Sequence, residues 1–197
     1  CKEAVESGVV PNKLVAYYLG ILTEFYEKTG IDITKSRFRK LGDKEKAFYA
    51  EVAFDFEVET TIGWLELVAC NYRSDYDLSS HARKSKQKFE IMDGDDKVLP
   101  HVFEISMGID RSLYTILEHS LKDDKEHERV VLSLKPYLAP IHVGILSLVK
   151  KDGLKEKTDE IYLQLRRKFD AFLDHSGAIG RRYRRLDEIG SPFAITV

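Results

Sequence analysis

The chain has 197 residues, 43% hydrophobic and 32% charged, with two cysteines, which is enough apolar material for a core without disulfide or metal staples. Lysine and arginine number 31 against 33 acidic residues, so a net charge of -2 offers no general attraction for nucleic acid and a local cluster must supply any. No apolar run approaches the roughly 20 residues of a bilayer helix and no basic-then-apolar leader precedes the first helix, which predicts a protein of the reducing cytoplasm with no membrane partner.

In chain order, Leu14, Tyr18, Ile21, Leu22 and Phe25 recur at helical spacing, with Asn12 placed to cap the helix and Gly30 to end it. From Phe48 the pattern alternates. Phe48, Ala50, Val52, Phe54, Phe56 and Val58 fall on one side, and Tyr49, Glu51, Asp55, Glu57 and Glu59 on the other, predicting a long, half-solvated antiparallel strand. A turn at "TTIG" leads to a return strand, "WLELVAC", with Leu65, Leu67 and Ala69 facing one way and Trp64, Glu66 and Val68 the other. The stretch "HVFEISMGIDRSLYTILEH" changes period in the middle. Phe103, Ile105 and Met107 alternate with Val102, Glu104 and Ser106, and then Ile109, Leu113, Ile116 and Leu117 recur as in a helix. A strand runs through Gly108 straight into a helix.

The polar "LKDDKEHER" reads as a connection between domains. Beyond it, "IHVGILSLV" is almost continuously apolar, Leu154, Ile161 and Leu165 have helical spacing, and "FDAFL" is a short strand. A helix over about Arg181 to Ile189 then leads into the β-rich "PFAITV". This is βαβ grammar. The predicted fold class is α+β: residues 1–121 an antiparallel sheet with flanking helices, 122–129 a linker, and 130–197 a small α/β domain that stops before it is complete, because an apolar strand calls for a covering element. There are no repeats or low-complexity tracts.

Cys1 and Cys70 lie far apart without neighbouring ligands, and His81, His101, His119, His127, His142 and His175 show no metal-ligand pairing, so neither a disulfide framework nor a zinc site is expected. The "RKSKQK" run reads as a solvated face. Arg181, Arg182, Arg184 and Arg185 surround Tyr183, and this mixture of basic and stacking groups suits either a solvated helix or a nucleic-acid contact.

Spacing alone leaves Glu104, Ser106 and Arg111 open between a solvent-facing set and a ligand site. As a site they suit a ligand with both an ammonium group and phosphates, since a carboxylate pairs with the first and arginine with the second. Peptide N–H groups at the helix start add attraction for phosphate, and Gly108 lets a flat group lie close to the backbone. An amino acid together with ATP fits.

"PHVFEISMGIDRSLYTILEHS" resembles the third signature motif of class II aminoacyl-tRNA synthetases, in the form found in archaeal and eukaryotic-type glycyl-tRNA synthetases. "GWLELVACNYRSDYDLSSHAR" resembles that family's catalytic strand and following loop, and it favours glycine over threonine, proline or histidine. "SGAIGRRYRRLDEIGSPFAITV" resembles its anticodon-binding domain, and "RFRKLGDKEKAFYAEVAFDFE" is a looser match. The resemblance covers nearly the whole chain in the family's order.

It implies a glycine–tRNA ligase that uses ATP and Mg2+ to make glycyl-adenylate and then charges tRNA(Gly), as a homodimer when complete. Glu104, Ile105, Ser106, Met107 and Gly108 would form the glycine pocket, the Glu104 carboxylate holding the ammonium. Glu66, Leu67, Gly108, Ile109, Asp110 and Arg111 would line the ATP site, with Arg111 on phosphate and Glu66 on the magnesium ion. No side chain acts as nucleophile. Arg181, Arg182, Tyr183, Arg184 and Arg185 would face tRNA. Family members usually have Pro at Ile105 and Gln-His at Lys40-Leu41, and a large insertion where this chain has "KFEIMDGDDKVL". The first and second class II motifs are missing, which implies a C-terminal portion inactive by itself. The alternative is a non-catalytic, synthetase-like paralogue serving as a nucleic-acid-binding or accessory subunit.

Overall fold

The computed structural model describes residues 2–149 and 151–197; Cys1 lies outside them. The chain divides into two compact units, one of residues up to Tyr26 with Asp32–Thr115, the other of Glu27–Ile31 with Ile116–Val197.

The first unit begins with α1 (Lys2–Glu6) and all but the last three residues of α2 (Lys13–Thr29). Asn12 caps α2 through its Oδ1, which accepts from the Val15 amide at 2.9 Å, and Gly30, at φ 94°, ends it. The buried stripe is not the expected one. Val15, Leu19, Leu22 and Tyr26 are buried, while Leu14, Tyr18, Ile21 and Phe25 are exposed. Apolar residues cover more than half of this helix, so periodicity admits two stripes. Tyr26 selects one: its ring stacks on Phe56 at 5.0 Å and its hydroxyl meets the Ser112 hydroxyl at 2.8 Å.

A four-stranded antiparallel sheet follows, in the order β1 (Ser36–Lys40), β2 (Val52–Thr60), β3 (Gly63–Ser74), β6 (Val102–Met107). Phe54, Phe56, Val58, Val68 and Cys70 make the buried face. The Cys70 thiol is pushed up to about 12 by burial, which leaves it unreactive. The opposite face was expected in solvent, yet Asp55 and Glu57 are buried. The reason is β1, absent from the sequence reading, whose Arg37 and Arg39 pair in register with Glu57 and Asp55. Between β3 and β6 lie α3 (Tyr76–Ser85) and a small hairpin of β4 (Ile91–Asp93) and β5 (Asp96–Val98). α4 (Ile109–Ser120) follows β6 after Gly108 alone.

In the second unit, β7 (Leu121–Asp124) and β8 (Arg129–Leu132) form an antiparallel hairpin. Residues 122–129, expected as a linker, are therefore the tip of an ordered hairpin, with a single helical turn at Lys125–His127 between its strands. Asp124 accepts from the His127 amide and, at 2.8 Å, from Arg129, whose Nη1 also reaches Asp187 at 2.8 Å. These charges, which read as solvated loop, tie the hairpin to a helix. The βαβ reading gives the rest: β9 (Val143–Leu146), α5 (Leu154–Leu165), β10 (Ala171–Asp174), α6 (Ile179–Glu188) and β11 (Phe193–Thr196), with β9 central and parallel to both neighbours. α6 lies so close to β9 that a Cβ on Gly144 would sit 2.3 Å from Leu186 Cδ1.

Candidate functional site

Two bulges in β3 shape the polar face of the first sheet. Phe56 pairs with Val68 and Glu57 with Glu66, so Leu67 is an extra residue and the side-chain alternation breaks there. Leu65 therefore opposes Val58 on the core face while Ala69 opposes Asp55 on the polar face, which corrects the expectation that Leu65, Leu67 and Ala69 face one way. The second irregularity lies between Tyr72 and Ser74, leaving Arg73 between paired positions. Bulges re-aim side chains, and they concentrate beside binding sites.

Re-aimed in this way, Arg73 meets β6. Its Nε donates to Glu104 Oε2 at 2.9 Å, its Nη2 donates to the same oxygen, its Nη1 donates to Asp77 at 3.2 Å, and its guanidinium lies 3.9 Å over the Tyr49 ring. Ser106 donates to the other carboxylate oxygen, Oε1, at 2.7 Å. Arg73 and then Ser106 hold the Glu104 carboxyl below the usual range, so it is an anion at neutral pH. Two strands away, Arg39 donates to Glu57 at 2.9 Å and Asp55 at 3.0 Å, and Arg37 lies 3.9 Å over Trp64. Burial raises the Asp55 carboxyl, helped by Glu66 and opposed by Arg39.

At the end of the sheet, the Gly108 amide donates to the Leu67 carbonyl at 2.8 Å, which anchors the start of α4 on the bulge. Arg111 donates to the Glu66 carbonyl at 2.9 Å and lies 3.5 Å from its carboxylate. In the first unit Arg111 thus lies against Glu66 and Ser106 against Glu104, with Gly108 between the strand that carries Glu104 and the helix that carries Arg111. This arrangement does not bring in the side chains of Ile105 and Met107, which oppose Cys70 and Val68 on the core face, nor that of Leu67, which is buried; only their backbones border the site. Ile109 and Asp110 are exposed at the helix start. Arg73, Arg37 and Arg39 escaped the sequence reading, which took Asp55 and Glu57 only as solvent-facing strand positions. The two-residue spacing of Arg37 and Arg39, matching that of Asp55 and Glu57, was the available signal for their pairing.

The arginine cluster on α6 divides. Arg182 is only 4% exposed and donates to the carbonyls of Ser147, Asp174 and Gly177, so the tRNA-facing role expected of it is withdrawn: its charge is spent inside the domain. Arg185 donates to Asp174 at 2.9 Å and to the Ser176 carbonyl at 2.6 Å. Arg181 and Arg184, three residues apart on one helix face, are exposed with Tyr183. Nearby, His175 bridges the Ser147 hydroxyl at 2.8 Å and Asp159 at 2.7 Å. Ser147 is fully buried, which makes this chain of groups a structural tie and not a nucleophile. Among the described residues, no three His, Cys, Asp or Glu groups are arranged to hold a metal ion, and no helix is long and apolar enough to cross a membrane.

Comparison with known proteins agrees with this division. Residues 142–197, most of the second unit's sheet and helices, match the anticodon binding domain family. Across the chain, a glycine–tRNA ligase of Archaeoglobus fulgidus is 33% identical over 272 aligned positions, covering 100% of this chain and 48% of the relative. Along its whole length this chain is thus similar to part of a glycine–tRNA ligase. The glycine–tRNA ligases of Treponema denticola and Clostridium perfringens are 38% and 40% identical, each over 88% of this chain and 41% and 38% of their own lengths. The chain therefore spans about half the length, or less, of the curated glycine–tRNA ligases it matches. The archaeal alignment is longer than the chain itself, so that ligase carries residues inside the aligned region which this chain lacks.

Proposed function

We propose that this chain supplies the glycine- and nucleotide-facing sheet and the anticodon-facing domain of a glycine–tRNA ligase. The observation that carries the reading is the polar sheet face, where an oriented carboxylate and a half-exposed arginine flank the short strand-to-helix passage at Gly108. Glu104, oriented by Arg73 and Ser106, presents a carboxylate that pairs with the glycine ammonium. Arg111, half exposed above Glu66, is available to ATP phosphate. A Cβ on Gly108 would meet only ordinary contacts, at 3.5 Å or more, so the protein's own packing does not demand glycine there; a ligand close to the backbone supplies a reason for it.

The glycine carboxylate attacks the α-phosphate of ATP and pyrophosphate leaves; the terminal ribose hydroxyl of tRNA(Gly) then attacks the glycyl carbonyl and AMP leaves. The side chains hold the ammonium, orient the reactants and offset charge, and positioning with electrostatics carries the rate. Glu66 is the residue that would hold Mg2+. A single exposed carboxylate fits an ion that arrives with its nucleotide and not one caged by protein; when bound, it would neutralise charge on the phosphates. Arg181, Arg184 and Tyr183 face the tRNA, and the complete protein works in the cytoplasm as a homodimer.

Glycine-dependent exchange of pyrophosphate into ATP by the complete protein tests this. Glu104→Gln is expected to raise KM for glycine far more than KM for ATP, and Arg111→Ala to impair ATP use first, each by about 100-fold in kcat/KM if one preorganised charged partner is removed. Equal or swapped effects contradict the assignment.

A further inference from the structure

The end of α3 and the residues after it carry Arg83, Lys84, Lys86 and Lys88, with no acidic residue between Leu78 and Phe89. α3 has no buried residue, and none of these four side chains has a partner among the described residues. With Arg182 and Arg185 committed inside their own domain, this is a denser concentration of uncommitted positive charge than α6 offers. Beside it stands Phe48, 86% exposed, its ring edge-on to that of Tyr76 at 6.1 Å. The two rings line a groove of about 410 Å³ together with Asp77, His81, Arg83 and Lys84. An open aromatic flanked by unpaired cations suits single-stranded nucleic acid, in which bases stack on rings and phosphates track the charge. A duplex, its bases already stacked, has no use for Phe48.

The groove's position says which strand. Tyr49 lines it and also lies beneath Arg73, and Asp77, another lining residue, accepts from Arg73. Arg73 is the group that holds Glu104. One side chain therefore separates the groove from the pocket assigned to glycine, and the single strand that must reach the glycyl carbonyl is the 3′ end of tRNA. We propose that α3, with Phe48 and Tyr76, is the landing surface for the unpaired 3′ tail of tRNA, a proposal that rests on the ligase reading above.

The test uses the complete protein as wild type, as the variant Arg83→Ala/Lys84→Ala/Lys86→Ala/Lys88→Ala, and as Phe48→Ala. Binding of intact tRNA, and of tRNA trimmed of its unpaired 3′ tail, is measured across a salt series, with pyrophosphate exchange alongside. On intact tRNA the four-cation variant is expected to lose at least about tenfold in affinity and to flatten the log–log salt slope by roughly 0.7 for each phosphate no longer neutralised. Phe48→Ala is expected to lose about tenfold with the slope kept. On trimmed tRNA all three proteins should bind alike, and exchange should match wild type throughout. Variants that match wild type on intact tRNA, or a difference that persists on trimmed tRNA, overturn the proposal. Absence of exchange in the wild type strikes the ligase reading instead, and the binding comparison still decides the landing surface.

Discussion

Arg73 and Glu104 show how one side chain sets the working state of another. Hydrogen bonding from Arg73 is the largest cause of the lowered Glu104 carboxyl, ahead of that from Ser106. A carboxylate held low in the folded chain contributes stability above its unfolded value and loses it as pH falls through the folded value. Replacing Arg73 with Met removes that cause, so Glu104 takes up its proton at higher pH. In the complete protein, the acid limb of kcat/KM for glycine is expected to move to higher pH, with KM for glycine raised and KM for ATP held. An acid limb that does not move would mean that Glu104 is not the titrating group. Arg73 lies inside the stretch that resembles the family's catalytic strand, yet its role was not legible, because alternation cannot aim a residue that sits at a bulge. Arg182 fails in the opposite sense: four arginines within five residues look alike as letters, and only the carbonyl ends of β9 and β10 decide which of them turns inward.

At the scale of elements, two glycines that look equivalent in sequence have opposite reasons. Gly144 is required by packing, since a Cβ there would press into the buried Leu186 side chain. Gly144→Ala is therefore expected to destabilise the chain by about 1 to 3 kcal/mol in denaturant titration. Combined with Leu186→Ala, it should cost less than the two single changes summed, because each relieves the other. Gly108→Ala should leave stability nearly unchanged and weaken ATP use in the complete protein. The reverse pattern would assign Gly108 to packing. The strand-to-helix passage at Gly108 and the βαβ succession were legible because period, length and turn residues agree along each segment. What was not legible depended on partners distant in sequence. β1 needed Asp55 and Glu57 to become a strand, α2 needed Phe56 to choose its buried stripe, and the 121–132 hairpin needed Asp187 to make a charged segment ordered.

For the molecule as a whole, a near-neutral net charge means that cations for the proposed RNA contact must be concentrated locally. On α6, Arg181 and Arg184 are exposed while Arg182 is committed to three carbonyls. The exposed pair should govern affinity without governing structure. Arg181→Ala/Arg184→Ala in the complete protein is expected to weaken tRNA binding and flatten its log–log salt dependence by about 0.7 to 0.9 for each phosphate left unneutralised, with pyrophosphate exchange untouched. Tyr183→Ala should cost about 1 to 3 kcal/mol of tRNA affinity if its ring stacks on a base. Arg182→Ala should behave differently in kind. It strands three carbonyls that shared one guanidinium, and hydrogen bonds to charged groups are worth about 1.5 to 3 kcal/mol each, so the effect should appear as a lower unfolding midpoint. Its salt slope for tRNA should stay that of the wild type at temperatures where the domain is folded. Measured together, the midpoint and the slope separate an arginine that holds the anticodon-type domain together from those that present it to RNA. A flattened slope in the folded Arg182 variant, or an unchanged one in the Arg181/Arg184 variant, would reverse the division drawn from burial.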